Sequence, residues 1–411
     1  MNLAVDVLIQ VKMVKRDIIN HLMSMIDRGS DLSILVLQFL LKLSVYKENK
    51  DQMKQEEFIE KLSTLLPLKQ PSALAMSLCY NLSFDPECRL LMVKHGVLQT
   101  CIEKFGHNSD EIALLYQFSI DDKHRSLFAP VIPTLFRRIL ECRESSVPVS
   151  YMALAINLSM SDEIKAVFDQ GLGFLIKRAL KTNDVLLWKL VRNSISDPSK
   201  LLEYIDAMMD TFQIAIPNIQ VEILGILNQL AISRLDFCKL AAPLLSTFNH
   251  VLSQSDIVES DDLALETIIF LGVACLDSQF PAWIQNSRLI PLLCKLITNK
   301  QDEEMILQGL YFHVKVLMYL PATAEQVQLF LDFSHHENKL IRQQSELGLD
   351  KILETPDFES KIINARFAWH NAEWLGLVTQ ANDYDSSDED AEYDVGGESR
   401  ALLYYDQSMA N

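Results

Sequence analysis

A polar position closes a long apolar stretch and recurs through the middle of this chain about every 36 to 40 residues. Five such stretches end in the segments "SLCYNLSFD" at 77–85, "LLYQFSIDD" at 114–122, "ALAINLSMSD" at 153–162, "LVRNSISD" at 190–197 and "ILNQLAIS" at 226–233. In register, the polar position holds Asn81, Gln117, Asn157, Asn193 and Gln229. A repeat of this length built of helices predicts a solenoid, in which each unit packs mainly on its neighbours.

The repeat continues more weakly on both sides. Lys42 occupies the polar position in "VLQFLLKLS" and Val273 occupies it in "TIIFLGVACL", and "GLYFHVKVLMYL" at 309–320 is a further copy. We therefore expect about eight repeats of two or three helices over residues 1–355. Glycine is scarce, with 12 in 411 residues, which favours an all-α fold over turn-rich sheet proteins.

Charge and cysteine content exclude several classes of protein. The formal net charge is −18, which argues against nucleic acid and anionic membrane surfaces as partners. The seven cysteines include no CxxC pair, so we expect a reducing compartment and no zinc framework. No secretory signal or membrane-spanning stretch is apparent, and the sequence predicts a soluble intracellular protein without direct membrane insertion.

The pattern changes after the repeats. Residues 356–381 predict one last helix that carries an aromatic cluster, with Phe367, Trp369 and Trp374. Residues 382–411 hold nine acidic residues against Arg400 and have too few apolar residues to fold, so they predict a disordered acidic tail with a short aromatic end.

The same tail offers two phosphorylation candidates. Ser386 and Ser387 each have an acidic residue three positions later, which suits an acid-directed kinase. Phosphate at these positions would add charge as a switch.

The recurring amides suggest a binding surface. Amide side chains at one helical position of successive repeats would form a ladder on the concave face, able to donate to and accept from the backbone of an extended peptide. An equally open alternative is that each amide satisfies a backbone group of the adjoining turn. Lys42 and Val273 interrupt the series, which would restrict any groove to the middle repeats.

Local positive charge stands out in this acidic protein. Residues 177–200 include Lys177, Arg178, Lys189 and Arg192, and Lys189 precedes Asn193 by four residues, which places it on the face of the ladder. One hypothesis is a basic pocket for an acidic peptide or for the chain's own acidic tail. The other interpretation is ordinary solvated surface charge.

Signatures of catalysis are not found in the sequence. No phosphate-binding glycine loop is present, and the histidines at 335 and 336 with Glu337 have no spaced partners that would complete a metal site. We therefore predict no enzyme activity, no catalytic residue, no metal and no cofactor.

Particular segments resemble a known family. The repeat endings resemble armadillo repeats, and "LSFDPECRLLMVKHGVL" and "LYQFSIDDKHRSLFA" are similar to the kinesin-associated protein family, the non-motor accessory subunit of heterotrimeric kinesin-II. The most specific segment is "RFAWHNAEWLGLV" at 366–378. Its matching positions are Arg366, Phe367, Trp369, His370, Asn371, Trp374 and Leu375.

The resemblance implies a right-handed armadillo superhelix that serves as an adaptor. Such a protein binds the C-terminal tails of the two kinesin-II motor subunits, which form a coiled coil, and joins them to cargo, including the transport trains of cilia and flagella. It implies a location in the cytoplasm, on the cytoskeleton and in the cilium or flagellum, at the axoneme and basal body. The aromatic block would either cap the last repeat or contact the motor tails.

A general armadillo scaffold is the competing hypothesis. A nuclear import receptor or a signalling adaptor would hold other partners in the same kind of groove. An import receptor needs a ladder of tryptophan and asparagine with acidic flanks, whereas Trp188 is the one tryptophan near the amides and its neighbours are basic.

Overall fold

The computed structural model describes residues 16–28, 31–68, 71–105, 109–143, 146–230, 235–253, 261–354 and 356–372. Within these ranges every regular element is an α- or 3₁₀-helix, which confirms the all-α prediction. The predicted acidic tail at 382–411 lies outside them. No helix in the described part of the chain is both long enough and apolar enough to cross a bilayer.

The α-helices of the first half follow one another with short connections. They are α1 Ile18–Ser24, α2 Asp31–Leu43, α3 Lys47–Met53, α4 Glu56–Leu65, α5 Ser72–Leu82, α6 Pro86–Lys94, α7 Val97–Glu103, α8 Ser109–Ser119, α9 Asp122–Arg125, α10 Ile132–Glu141, α11 Val149–Leu158, α12 Asp162–Gln170 and α13 Leu172–Thr182.

The second half continues in the same way. Its helices are α14 Val185–Asn193, α15 Ile205–Ile214, α16 Pro217–Leu227, α17 Phe237–Ala241, α18 Leu245–Ser253, α19 Asp261–Ala274, α20 Phe280–Ile284, α21 Leu289–Asn299, α22 Glu303–Leu317, α23 Ala324–Phe333, α24 Lys339–Leu353 and α25 Glu359–His370. The 3₁₀ segments are Met25–Arg28, Ser126–Val131, Pro198–Tyr204, Ala242–Leu244 and Pro356–Phe358.

The chain divides by its contacts into two compact units, residues 1–315 and 316–411. This division differs from the sequence-based one at 355, which remains a prediction about repeat boundaries. In the first unit, the last helix of each repeat packs on the last helix of the next. These third helices, α2, α5, α8, α11, α14, α16 and α19, form a continuous layer.

Burial distinguishes the third helices from the others. In α16 the described side chains are buried on almost every side, from Ile219 through Leu227, because neighbouring repeats cover both flanks. In α10, by contrast, burial follows a single stripe of Ile132, Leu135 and Ile139 with exposed arginines between. An all-round apolar helix is what the sequence pattern predicts for the middle of a stack.

Helix starts follow the local chemistry of the sequence. Asp85 precedes Pro86 and caps α6, because its carboxylate accepts hydrogen bonds from the backbone N–H groups of Glu87 at 3.0 Å and Cys88 at 3.2 Å. Asp197 likewise precedes a proline and accepts from the Ser199 amide at 3.0 Å, although the helix it starts is a 3₁₀ segment. Both caps are those that an Asp–Pro dipeptide in the sequence predicts.

A buried arginine joins two consecutive repeats. Arg89 in α6 holds the carboxylate of Asp121 with two hydrogen bonds, at 2.7 Å from Nε and 3.2 Å from Nη2. Its third nitrogen donates to the Ser83 carbonyl at 2.8 Å, at the end of α5. The Arg89 guanidinium holds the pKa of the Asp121 carboxyl below its usual range. Asp121 is the N-cap residue of α9, so this ion pair fixes one repeat against the start of the next.

The second unit is a small helical group. A capping box between Thr323 and Gln326 starts α23, and α24 packs closely on it at Gly348. A Cβ on Gly348 would lie 2.3 Å from the ring of Phe330, so only glycine permits this approach. The final helix α25 packs on both α23 and α24, with Ile362 as its buried contact residue.

Candidate functional site

The predicted amide positions lie at the C-terminal ends of the third helices, and several of them bind the preceding repeat. The Asn81 Nδ2 group donates to the hydroxyl of Ser44 at 2.8 Å. The Asn157 Nδ2 group donates to the hydroxyl of Ser119 at 3.1 Å. The two bonds are alike in geometry and sequence separation, so they are a repeated device that links third helices.

The remaining amides lie in different surroundings. Gln229 Nε2 donates to the backbone carbonyl of Arg192, again in the preceding repeat, at 3.0 Å. Gln117 is buried, with 6 % of its surface exposed, whereas Asn193 is half-buried. The structure therefore brings the five positions onto one layer but does not present them equally to solvent.

A row of buried serines escaped the sequence reasoning. Four of them lie two residues after the polar position and are fully or almost fully buried: Ser44, Ser83, Ser119 and Ser159. Each donates its hydroxyl to the carbonyl three residues earlier at 2.7 Å, which satisfies an otherwise free acceptor at the helix end. The signal was present, because a serine follows the polar position at the same offset in four consecutive copies.

These bonds leave the amides with capacity to bind. A carboxamide has two N–H groups and one carbonyl oxygen, and the bond to a serine uses one N–H. Asn81 and Asn157 are half-buried, so part of each side chain faces solvent. Bonding within the fold and bonding to a partner are therefore compatible at both positions.

The predicted basic patch is divided between two helices with different contacts. Lys189 and Arg192 lie on α14, where Lys189 is exposed. Lys177 and Arg178 lie on α13, where the Lys177 ammonium is 6.0 Å from the ring centre of Tyr204. The Nη1 group of Arg178 donates a hydrogen bond to the backbone carbonyl of Leu140 at 3.3 Å.

Arg192 extends across the layer to two carboxylates. Its Nη2 lies 2.5 Å from Oε1 of Glu266 on α19, and its Nη1 lies 3.6 Å from Oε2 of Glu222 on α16. Gly225 makes this path possible, because a Cβ at that position would lie 2.3 Å from the Arg192 Cζ. One side chain thus connects third helices of three successive repeats.

The two carboxylates around Arg192 are both buried. Burial raises the pKa of Glu222, although Arg192 and Lys189 act in the opposite direction. Glu266 also accepts a hydrogen bond from Asn228 Nδ2 at 2.7 Å. Sequence reasoning missed this pair, although both residues stand seven positions before a polar position, at Gln229 and at Val273.

The aromatic block of the second unit is partly described. Trp369 stacks on His335 with ring centres 3.8 Å apart and an interplanar angle of 7°, while 52 % of its surface remains exposed. Its neighbour His370 is exposed and meets the indole edge-on, and Phe367 is half-buried. Trp374 lies outside the described residues, as do the phosphorylation candidates Ser386 and Ser387.

An open groove adjoins this stacked pair. It runs between the end of α23, α24 and α25 and is lined by His335, Lys339, Leu347, Trp369 and other residues of those helices. Arg366 crosses its floor to Glu346 at 2.5 Å and Asp350 at 3.4 Å. The helix is therefore attached by Ile362 and Arg366, whereas the tryptophan edge faces the groove.

Comparison with known proteins decides the family. The model of the family described as kinesin-associated protein matches residues 1–408, almost the whole chain. The chain belongs to the kinesin-associated protein family. The resemblance drawn from the repeat segments and from the block at 366–378 is thereby confirmed.

Solved structures establish the fold of this kinesin-associated protein family member. An engineered protein from a structural genomics programme matches with a TM-score of 0.64 at 13 % identity, over 84 % of this chain and 92 % of that one. A structure from work on a phosphorylation switch between cadherin and β-catenin matches with a TM-score of 0.62 at 11 % identity, over 84 % and 79 %. These similarities confirm the armadillo-type solenoid. Family and fold together support a kinesin-associated adaptor or an armadillo binding scaffold.

One group of potential metal ligands occurs among the described residues of this family member. Asp236, Cys238 and Asp277 bring a ligand atom each within 4.8 Å of one another. Burial and the two neighbouring carboxylates raise the pKa of the Cys238 thiol. The Cys238 Sγ lies 4.0 Å from Oδ2 of Asp277, to which the thiol can donate.

Proposed function

We propose that this chain is a non-catalytic adaptor that holds the C-terminal tails of the kinesin-II motor subunits and links them to cargo. The observation that carries the proposal is the match to the kinesin-associated protein family over residues 1–408. We infer that its cargo includes the transport trains of cilia and flagella. Its expected locations are the cytoplasm, the cytoskeleton and the cilium, at the axoneme and basal body.

The third-helix layer supports a role in binding partner chains. The amides of Asn81 and Asn157 keep an N–H and a carbonyl oxygen beyond their bonds to serine, which suits the backbone of an extended segment. Asn193 and Gln229 extend the same layer, and the buried Gln117 would act by positioning its neighbours. We infer that the amides hold the partner's backbone and that other side chains select its sequence.

The positive charge on α14, beside Asn193, indicates which residue of this chain would meet an acidic partner. Arg192 already serves Glu266 and Glu222, so Lys189 is the exposed cation that α14 offers. We infer that an acidic group of a partner would meet Lys189 and not Arg192. The chain's own acidic tail is a candidate for this contact.

The aromatic block is proposed to have both roles that the sequence leaves open. Ile362 and Arg366 attach α25 to the second unit, as a cap would be attached. The stacked indole of Trp369 presents a wide apolar and aromatic edge to the adjoining groove, and such rings are favoured at protein interfaces. We infer that this edge contacts the motor tails.

Co-purification tests the adaptor function. The full chain is mixed at micromolar concentration with the paired coiled coil of the two motor tails and separated by size-exclusion chromatography. A stoichiometric complex is the expected result. Absence of a complex at that concentration would favour a general armadillo scaffold.

Two matched variants then locate the contacts. Lys189→Glu should weaken the complex more at low salt than at high salt. Lys181 is another exposed lysine and lies on α13, so Lys181→Glu should leave the complex unchanged. Trp369→Ala should release the tails while the thermal transition moves little, because the indole is half exposed. A large loss of stability in this variant would instead indicate a cap without a docking role.

The competing import-receptor function has little support in the geometry. Such a receptor needs tryptophans that face the groove and stack on a bound basic segment. Trp188, the tryptophan near the amides, is fully buried. We therefore propose no second function.

A further inference from the structure

An apolar side chain is exposed at the same place in four consecutive repeats. Val45, Phe84, Ile120 and Met160 are between 43 % and 74 % exposed, and each directly follows one of the buried serines. The four third helices before them, α2, α5, α8 and α11, pack on one another in that order. These side chains therefore form one row, which we call the apolar strip. Clustered exposed apolar groups of this kind mark interaction sites.

The apolar strip runs beside the amides. Met160 donates its backbone N–H to the carbonyl of Asn157 at 3.3 Å, a 3₁₀-type turn that stacks residues three apart on one side. Phe84 stands three residues after Asn81, in a turn closed by the bonds from the Ser83 N–H to the Tyr80 carbonyl and from the Asp85 N–H to the Leu82 carbonyl, and its ring meets that of Tyr80 edge-on with ring centres 5.3 Å apart. The repeats of Asn81 and Asn157 thus offer an amide and an apolar side chain side by side, whereas the amide before Ile120 is the buried Gln117 and Lys42 stands before Val45.

The spacing of the repeats selects the conformation of the occupant. Packed helices lie about 8–10 Å apart. A polyproline II segment has three residues per turn and a rise of about 3.1 Å per residue, so it presents one side chain per face about every 9 Å. A β-strand alternates its side chains every second residue and does not keep a three-residue register on one face.

The amides exclude an α-helical occupant. A helix could place apolar residues about 10.5 Å apart by using every seventh position. Its backbone N–H and carbonyl groups bond to one another, however, and would leave nothing for Asn81 and Asn157 to bind. A polyproline II segment has no internal hydrogen bonds and keeps all of these groups free.

Surface charge beside the apolar strip indicates the remaining side chains of the occupant. Exposed charged residues within three positions after the four apolar residues are Glu48, Glu87, Asp122, Asp162 and Glu163, with two lysines, Lys47 and Lys123. At Val45 and Phe84 the acidic residues are balanced by lysines, because Lys42 is exposed and the Lys50 ammonium lies 5.5 Å from the ring centre of Phe84. Beside Ile120 and Met160 the acidic side chains outnumber the basic ones, so a basic segment is favoured at that end of the apolar strip.

We propose that the apolar strip binds an extended partner segment in polyproline II conformation, with an apolar residue at every third position and with lysine or arginine between those that lie on Ile120 and Met160. The apolar residues would lie on Val45, Phe84, Ile120 and Met160, and the segment's backbone would bond to the amides one turn earlier. The proposal rests on the proposed function, because it names the kind of segment that the adaptor holds.

Two synthetic peptides test the proposal with the full chain. Both contain four leucines, and lysine, proline and serine in equal numbers, but the leucines recur every third residue in one peptide and every fourth in the other. Fluorescence anisotropy of the labelled peptides should show binding of the first that is at least about tenfold tighter than binding of the second. Equal affinities, or no binding of either at about 100 μM, would overturn the proposal.

Variants of the protein assign the peptide to the apolar strip. The double substitution Phe84→Ser and Met160→Ser should weaken the first peptide by about tenfold or more. Phe174→Ser serves as the matched control, because Phe174 is also an exposed phenylalanine but lies on α13. If the double variant melts early, Val45→Ser replaces it. Unchanged affinity in a folded strip variant would refute the assignment.

The motor-tail experiment keeps this proposal separate from the proposed function. Failure of the wild-type chain to bind the motor tails would refute the adaptor function, whatever the peptides do. Tail binding by the wild type together with equal binding of the two peptides would refute the apolar strip alone.

Discussion

The contribution of Arg192 to the third-helix layer can be tested by adding one carbon atom at Gly225. The Arg192 side chain crosses α16 over this glycine, and an alanine Cβ would lie 2.3 Å from its Cζ and 2.5 Å from its Nε. These distances are far below contact distance, so the guanidinium has to move. Gly225→Ala therefore separates Arg192 from Glu266 without changing any charge.

Two opposing effects set the expected magnitude. Alanine in a helix interior is more favourable than glycine by about 1 kcal/mol. Removing one member of a buried ion pair costs about 3–5 kcal/mol, and because the Arg192 side chain is 31 % exposed we take about 2–3 kcal/mol. The net effect should be a loss of about 1–2 kcal/mol, since the ion pair outweighs the propensity of alanine.

The sign should reverse when the arginine is absent. In an Arg192→Ala background there is no guanidinium over Gly225, so Gly225→Ala should stabilise the protein by about 1 kcal/mol. A solenoid opens locally and is not a strict two-state system, so the free energy is best measured by amide hydrogen exchange. Peptides from α14, α16 and α19 report the affected helices, and peptides from α5 and α8 provide the internal control.

One result would refute this reasoning directly. If Gly225→Ala slows exchange by the same factor in both backgrounds, the link between Arg192 and Glu266 contributes nothing to the layer. Faster exchange in both backgrounds would show that the alanine clashes with something other than the guanidinium.

Three other predictions follow from single contacts. Gly348→Ala should destabilise the second unit by about 1–3 kcal/mol, measured by hydrogen exchange of α23 and α24, because its Cβ would overlap the Phe330 ring; Phe330→Leu should restore most of the loss. Arg89→Met should lower the thermal midpoint at neutral pH, because it leaves the Asp121 carboxylate unpaired. Since Arg89 lowers the pKa of Asp121, the difference in thermal midpoint between wild type and variant should be largest above about pH 4 and should shrink as the pH falls further. A midpoint difference that does not change with pH would contradict this. Asn157→Ala should speed exchange at the ends of α8 and α11 by breaking the bond to Ser119, with no change in α5.

Much of the fold was accessible from the sequence, because its signals are local or periodic. The Asp85 cap depends on residues within one turn, so the Asp–Pro dipeptide was enough to predict it. The stack of third helices depends on an apolar pattern that repeats at a fixed interval, which makes neighbours in sequence neighbours in space. The family was likewise predicted from contiguous segments such as 366–378.

The candidate site was predictable only in part. The positions of Asn81 and Gln117 follow equally well from the repeat, but Asn81 is half-buried and bound to Ser44 whereas Gln117 is buried. Exposure at such a position depends on how much room the side chains of two adjacent helices leave, which one-dimensional periodicity does not encode.

The sequence by itself determined that this chain is a stack of helical repeats of the armadillo kind and that Arg192 lies near its amide row. Only the tertiary structure decided what Arg192 does there. Its partner Glu266 is 74 residues away and is reached across Gly225, which offers no side chain to block the path. A charge in sequence has no fixed partner, because the partner is set by which helices pack and by the space between them.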